Sequence, residues 1–192
     1  MRVPVLGSQL PRRGNRFSKA LGRTMLRLFG WSIQGEAPDL PKFVAIAAPH
    51  TSNWDFYFGI AAVFAMGIRV SWLGKHTLFR PPFGPFFCWL GGIPADRAAS
   101  HGLVEQTIHA LNGHERMIVA MAPEGTRKRV ETWRTGFYRI AQGARLPILL
   151  AYFDYAQRAV GLGPMFHPTG DLDADLQKIL EFYSPIVGKR PK

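Results

Sequence analysis

Residues 43–66 read FVAIAAPHTSNWDFYFGIAAVFAM: a short apolar run, a polar turn, then a longer apolar run. Phe43–Ala48 has the length and composition of a buried strand. Pro49–Asn53 is a turn in which Thr51, Ser52 and Asn53 are all good helix N-caps. Trp54–Met66 is too long for a typical strand and reads as an apolar helix. Strand, tight turn and helix in this order form the repeating unit of an α/β fold.

The alternation continues outward. Val70–Leu73, Gly92–Ala95, Met117–Met121 and Leu146–Phe153 read as strands. Leu103–Leu111 and Thr135–Ala144 read as helices, as does Asp173–Tyr183, whose acidic first turn suits the positive end of a helix dipole. The expectation is a single α/β domain with a mostly parallel central sheet flanked by helices. The prolines and glycines of Pro81–Ala95 argue against a regular helix there. The sole cysteine, Cys88, excludes an internal disulfide and reads as buried packing inside an apolar stretch.

The chain of 192 residues carries 24 Lys+Arg against 13 Asp+Glu, a net charge of +11. Such an excess calls for an anionic partner, nucleic acid or a membrane surface. Residues 15–31 read as an amphipathic helix at the N-terminus. Arg16, Lys19, Arg23 and Arg27 form a basic stripe, and Phe17, Leu21, Met25 and Leu28 an apolar one. Paired stripes of this kind suit a helix lying in the headgroup plane of an anionic membrane, or one packing its apolar side on the core. No run of about 20 apolar residues is present to span a bilayer, and the opening residues lack a secretory core. The aromatics cluster in apolar runs instead of alternating with cations, which argues against nucleic acid.

His50 precedes the second element of the opening stretch and Asp55 falls in its first turn. Five positions along one helix are about 140° apart, so the two meet only if His50 lies in the turn. The imidazole then folds back over the carboxylate. Asp55 fixes its tautomer, and the other ring nitrogen is free to take a proton from a hydroxyl. A purely structural histidine is the competing reading. Two loops add weight. Pro123-Glu124-Gly125-Thr126-Arg127 follows a strand and offers backbone N–H groups and a cation suited to phosphate. Gly92–Arg97 ends in a second arginine, Arg97.

Together these stretches resemble the glycerolipid acyltransferase family, which includes the lysophosphatidate acyltransferases. His50-Thr51-Ser52-Asn53-Trp54-Asp55 is similar to its His-x-x-x-x-Asp motif. Gly92–Arg97, Pro123–Arg127 and Leu146–Leu149 resemble its later blocks in order and rough spacing. Ala122 and Pro94 depart from the residue types usual there. The resemblance implies His50 as general base, Asp55 as its orienting partner and Arg97 on the acceptor's phosphate. Glu124, Gly125, Thr126 and Arg127 would shape the acceptor and oxyanion region, and Pro147 would help line the donor side. It implies no metal and no cofactor, with acyl-CoA or acyl carrier protein as co-substrate.

The resulting expectation is transfer of a fatty acyl group to the free hydroxyl of a lysophospholipid, lysophosphatidate foremost. The enzyme would sit peripherally on the cytoplasmic face of an anionic membrane. Residues 1–31 would form the basic tail and membrane-associating helix, with Arg16, Lys19, Arg23, Arg27, Phe17 and Leu21 in contact. Residues 32–192 would form the acyltransferase domain. A lyso-aminolipid acceptor and a catalytically inert lipid-binding relative are the alternatives. Phe79, Phe83, Phe86, Phe87 and Trp89 fit an acyl channel, a membrane-facing lip or plain core packing.

Overall fold

Lys42–Ala48 forms β2, the middle strand of a seven-stranded sheet in the computed structural model, which describes residues 2–95, 100–126, 130 and 132–190. The other strands are β1 (Ser32–Gly35), β3 (Ser71–Lys75), β4 (Gly92–Ala95), β5 (Met117–Met121), β6 (Ile148–Asp154) and β7 (Ala159–Phe166). They lie in the order β1-β7-β6-β2-β5-β3-β4. Every neighbouring pair is parallel except β6 and β7. The expected α/β architecture with a mostly parallel sheet is therefore present.

Helices cover both faces. Alternate residues of β2 divide the core: Phe43 and Ala45 belong to one buried cluster, Val44, Ile46 and Ala48 to the other. On the first face lie α1 (Arg16–Leu28), α2 (Asn53–Met66) and the short α3 (Gly84–Trp89). On the second lie α4 (Ser100–Gly113), α5 (Gly136–Ala144) and α6 (Leu172–Tyr183).

Helix α1 starts at Asn15, whose side chain accepts from Ser18 N while Ser18 Oγ accepts from Asn15 N. It packs closely on α2 through Gly22, where a Cβ would lie 2.4 Å from Ala65 N and 2.5 Å from Ala61 O. Leu26 is fully buried there and Leu10 nearly so, which ties the N-terminal segment into the same core. The apolar stripe of α1 points elsewhere: Phe17 is 75% exposed and Leu28 74%. Of that stripe Met25 packs against the core, while Phe17, Leu21 and Leu28 stay exposed, so the core covers only part of it.

Two expectations need correction. Cys88 is exposed, because it sits on the outer side of α3. A helix does form within Pro81–Ala95, over Gly84–Trp89, because Pro85 falls in its first turn, where a missing N–H costs nothing. Pro147 lies just before β6, level with the start of β2, since Ile148 pairs with Val44. That is about 16 Å of strand from the His50 end, so Pro147 is not beside the His50–Asp55 pair. Strands β1 and β7 are additions that the sequence reading lacked.

Candidate active site

Because β2, β3, β4 and β5 run parallel, the turns after them gather at one end of the sheet. In α/β sheets this carboxyl end is where ligands bind. β2 delivers His50 and β5 delivers Glu124 to it. Ser52 caps α2: its hydroxyl accepts from Trp54 N, and its own N–H donates to Asp55 at 2.7 Å. The cap thus fixes the first turn of α2 and the carboxylate in it.

Asp55 is fully buried. Its Oδ2 accepts the Thr51 and Ser52 N–H groups, each at 2.7 Å, and lies 3.3 Å from His50 Nδ1. Its Oδ1 accepts the hydroxyl of Tyr155 at 2.5 Å. The His50 side chain is a quarter exposed, at 25%, so one edge of the ring is open to a substrate. The structure therefore brings His50 and Asp55 together as the sequence predicts. A carboxylate held from four directions cannot swing away when the imidazole gains charge.

Glu124 is also buried, and its carboxylate accepts the backbone N–H of His50 at 3.1 Å. It therefore braces the turn that carries the base. The charge of Glu124, after burial itself, raises the pKa of the buried Tyr183, whose hydroxyl donates to the carbonyls of Ile46 and Ala151. Gly125 has φ 66, and its N–H donates to the Ala122 carbonyl at 3.1 Å. That amide closes the turn, so it is not the donor for an oxyanion. Thr126 is half-buried beside it. Arg97 and Arg127 lie outside the described residues.

Sequence reasoning missed two residues. Tyr155 stands beyond the end of β6, whose register with β2 pairs Tyr152 with Ala48 and so carries residue 155 level with the His50 turn. Burial, then the hydrogen bond to Asp55 and its charge, raise the Tyr155 pKa far above the ordinary tyrosine value, so the hydroxyl stays a donor. Arg134 lies against the Gly125 turn, with Cδ and Nε 2.8 Å from where a Cβ of residue 125 would be. It sets a cation beside that loop. Knowledge of which strands are neighbours would have been needed to find Tyr155.

Beside Tyr155 opens a groove of about 590 Å³. Trp31 and Phe58, stacked with ring centroids 3.8 Å apart, contribute to its wall. Leu28, Phe29 and Trp54 form its apolar rim, joined by Arg158 and Lys189.

A base on the carboxyl end of the sheet, an anchored carboxylate behind it and an apolar groove alongside suit proton abstraction from a lipid hydroxyl. The Acyltransferase family model matches residues 36–153, more than half of the chain, taking in the His50–Asp55 turn and the Glu124 turn but not Trp31 or Tyr155. The chain belongs to the Acyltransferase family. No curated protein matches it by sequence. Its fold is similar to that of the 1-acyl-sn-glycerophosphate (LPA) acyltransferase PlsC from Thermotoga maritima, with a TM-score of 0.60 and 18% identity. The match covers 87% of this chain and 75% of that one. His50, Asp55, Glu124 and Gly125 all fall inside the family's matched stretch. Among the described residues, no helix is long and apolar enough to cross a membrane.

Proposed function

We propose that this acyltransferase moves a fatty acyl group from a thioester, acyl-CoA or acyl carrier protein, to the free hydroxyl of a lysophospholipid, with lysophosphatidate the acceptor. The observation that carries the reading is the His50–Asp55 pair, 3.3 Å apart at the carboxyl end of β2, with the His50 side chain a quarter exposed. The nucleophile is then the substrate's own hydroxyl. His50 Nε2 takes its proton as the oxygen attacks the thioester carbon. The imidazolium is stabilised by Asp55, and the tetrahedral oxyanion collapses by expelling the thiolate. His50 returns the proton to the sulfur, leaving an ester and a free thiol. A placed general base of this kind contributes roughly 10²–10⁴-fold.

The remaining parts fit a lipid substrate. The groove beside Tyr155 offers an apolar surface for a fatty chain, with Arg158 and Lys189 for nearby anionic groups. Arg97 is the cation for the acceptor's phosphate, Arg127 shapes the acceptor region, and Arg134 adds a cation against the Gly125 turn. The exposed basic residues Arg16, Arg23 and Arg27, with Lys19, hold α1 on an anionic membrane, helped by exposed Phe17 and Leu21. Each such cation contributes about 1 kcal/mol near an anionic surface.

The test is a matrix of donors and acceptors. Acyl-CoA and acyl carrier protein are each offered with lysophosphatidate, other lysophospholipids, a lyso-aminolipid and glycerol phosphate. Ester formed on lysophosphatidate with one thiol released per ester supports the reading. Thiol release without ester, or no transfer to any acceptor, overturns it.

A further inference from the structure

We propose that the outer side of the α1–α2–α3 layer is one continuous docking face for an anionic lipid bilayer, with α3 as a second, aromatic anchor beside α1. This rests on the lipid substrate proposed above and extends it beyond α1.

Three observations carry it. First, the outward residues of α2, namely Tyr57, Ile60 and Phe64, are apolar and only half-buried. A helix that is apolar all round belongs under cover. Here α1 flanks it on one side through Gly22. On the other, Phe87 of α3 lies 6.0 Å from Phe56 and Trp89 6.1 Å from Phe64, ring to ring. Residues 12 and 13 cross the C-terminal end of α2 between the two flanks, and Tyr57, Ile60 and Phe64 stay partly open to solvent.

Second, α3 itself turns large apolar groups outward: Phe83 is 66% exposed, Phe86 52% and Trp89 58%. The opposite layer, α4 to α6, exposes only Leu180 of this class among the described residues. Bare apolar surface on one face and not the other marks an interaction site.

Third, the charge around this face selects a lipid headgroup. Residues 1–35 and 56–95 contain no acidic side chain; of the three acids between them Asp55 is buried, Asp39 accepts the Gln9 N–H, and Glu36 stands exposed after β1. Lys75 and Arg80 stand exposed before α3. Arg13 links the two anchors: it precedes α1, its guanidinium lies 5.0 Å over the Trp89 ring, and it donates to the Trp89 carbonyl. Aromatics flanked by cations, with no acid on α1 or α3 themselves, match the interface of an anionic leaflet. The N-terminus of α2, with Trp54 39% exposed beside the dyad, sits at the edge of this face. A lipid hydroxyl reaches His50 from the leaflet without a long path through water.

The experiment is co-sedimentation of the whole chain with vesicles of phosphatidylcholine alone or mixed with phosphatidylglycerol, at low and high salt. Turnover on a water-soluble short-chain lysophosphatidate without vesicles is measured in parallel. The triple variant Phe83→Ser, Phe86→Ser, Trp89→Ser loses about tenfold or more in affinity for the anionic vesicles. Its residual binding disappears at high salt, while its turnover on the soluble acceptor matches that of the parent. Trp89→Phe keeps the apolar surface and the binding, but loses the share of tryptophan quenching caused by brominated lipid. This readout stands even if the triple variant folds poorly. Unchanged vesicle affinity in the triple variant, quenching unaltered by Trp89→Phe, equal binding to neutral vesicles, or capture of a partner protein by this face in place of lipid overturns the proposal. Vesicle binding that follows α3 in a chain that turns over no acceptor leaves the docking face standing and removes the catalytic reading instead.

Discussion

Asp55 spends both carboxylate oxygens inside the protein, and the most distant of its donors is Tyr155, one hundred positions along the chain. Removing that hydroxyl leaves a buried charge short of one partner. Hydrogen bonds to charged groups contribute about 1.5–3 kcal/mol, so Tyr155→Phe should lower kcat by about tenfold with little change in KM. The raised pKa of Tyr155 keeps it protonated past the ordinary value of 10.0, so the alkaline side of the pH–rate profile should not move in the variant. A shift of that limb would mean that Tyr155 itself titrates in turnover. At this scale His50 and Asp55 were legible as a possible pair, because helix geometry requires His50 in the turn if the two are to meet, and the resemblance to the His-x-x-x-x-Asp motif singled them out. Tyr155 was not, since its approach depends on β6 lying next to β2 in one register, and nothing local encodes that. Glu124 is expected from the resemblance to shape the acceptor and oxyanion region; its carboxylate also braces the backbone of His50.

Helix α1 shows how one residue sets the spacing of two elements. In an isolated helix, Gly→Ala stabilises by about 1 kcal/mol. At Gly22 the added carbon would enter the backbone of α2 at Ala61 and Ala65, closer than any real contact allows. The clash should win, and Gly22→Ala should destabilise by about 1–3 kcal/mol. A thermal melt checks the sign: Tm should fall by roughly 2–4 °C per kcal/mol. A rise in Tm would mean that α1 rides more loosely on α2. The long periodic elements could be read from the sequence, whereas β7 could not, because Gly161, Gly163 and Pro164 look like loop punctuation. The reason for Gly161 is tertiary: a Cβ there would fall 1.8 Å from Cζ of Tyr152 on β6. β1 is four residues at a sheet edge, too short to show a period.

Taken whole, the molecule is a sheet between two unlike layers. The α1–α3 layer is cationic and apolar outside. The α4–α6 layer is held by a buried network: Asp175 accepts from Tyr138 at 2.8 Å, and from the N–H and hydroxyl of Thr169 at 2.7 and 2.9 Å. Burial works against the Asp175 carboxylate, but these donors and Lys178 outweigh it and hold its pKa below the ordinary 3.8. A depressed carboxyl pKa contributes stability that is present above the unfolded value and lost as pH falls through the folded one. Urea midpoints should therefore drop below about pH 4, and Asp175→Asn should flatten that drop while costing about 1–3 kcal/mol at neutral pH. An unaltered acid profile in Asp175→Asn would place the acid sensitivity elsewhere. The net charge of +11 was legible as a call for an anionic partner, but which face it marks required the three helices in place. The central claim is that His50 acts as general base in acyl transfer. It is tested most directly by turnover of lysophosphatidate and acyl-CoA in anionic vesicles, parent against His50→Ala, with melting curves alongside. A loss of at least about 10²-fold with an unchanged melt is the predicted result. Turnover within a few-fold of the parent in a folded His50→Ala protein would contradict it.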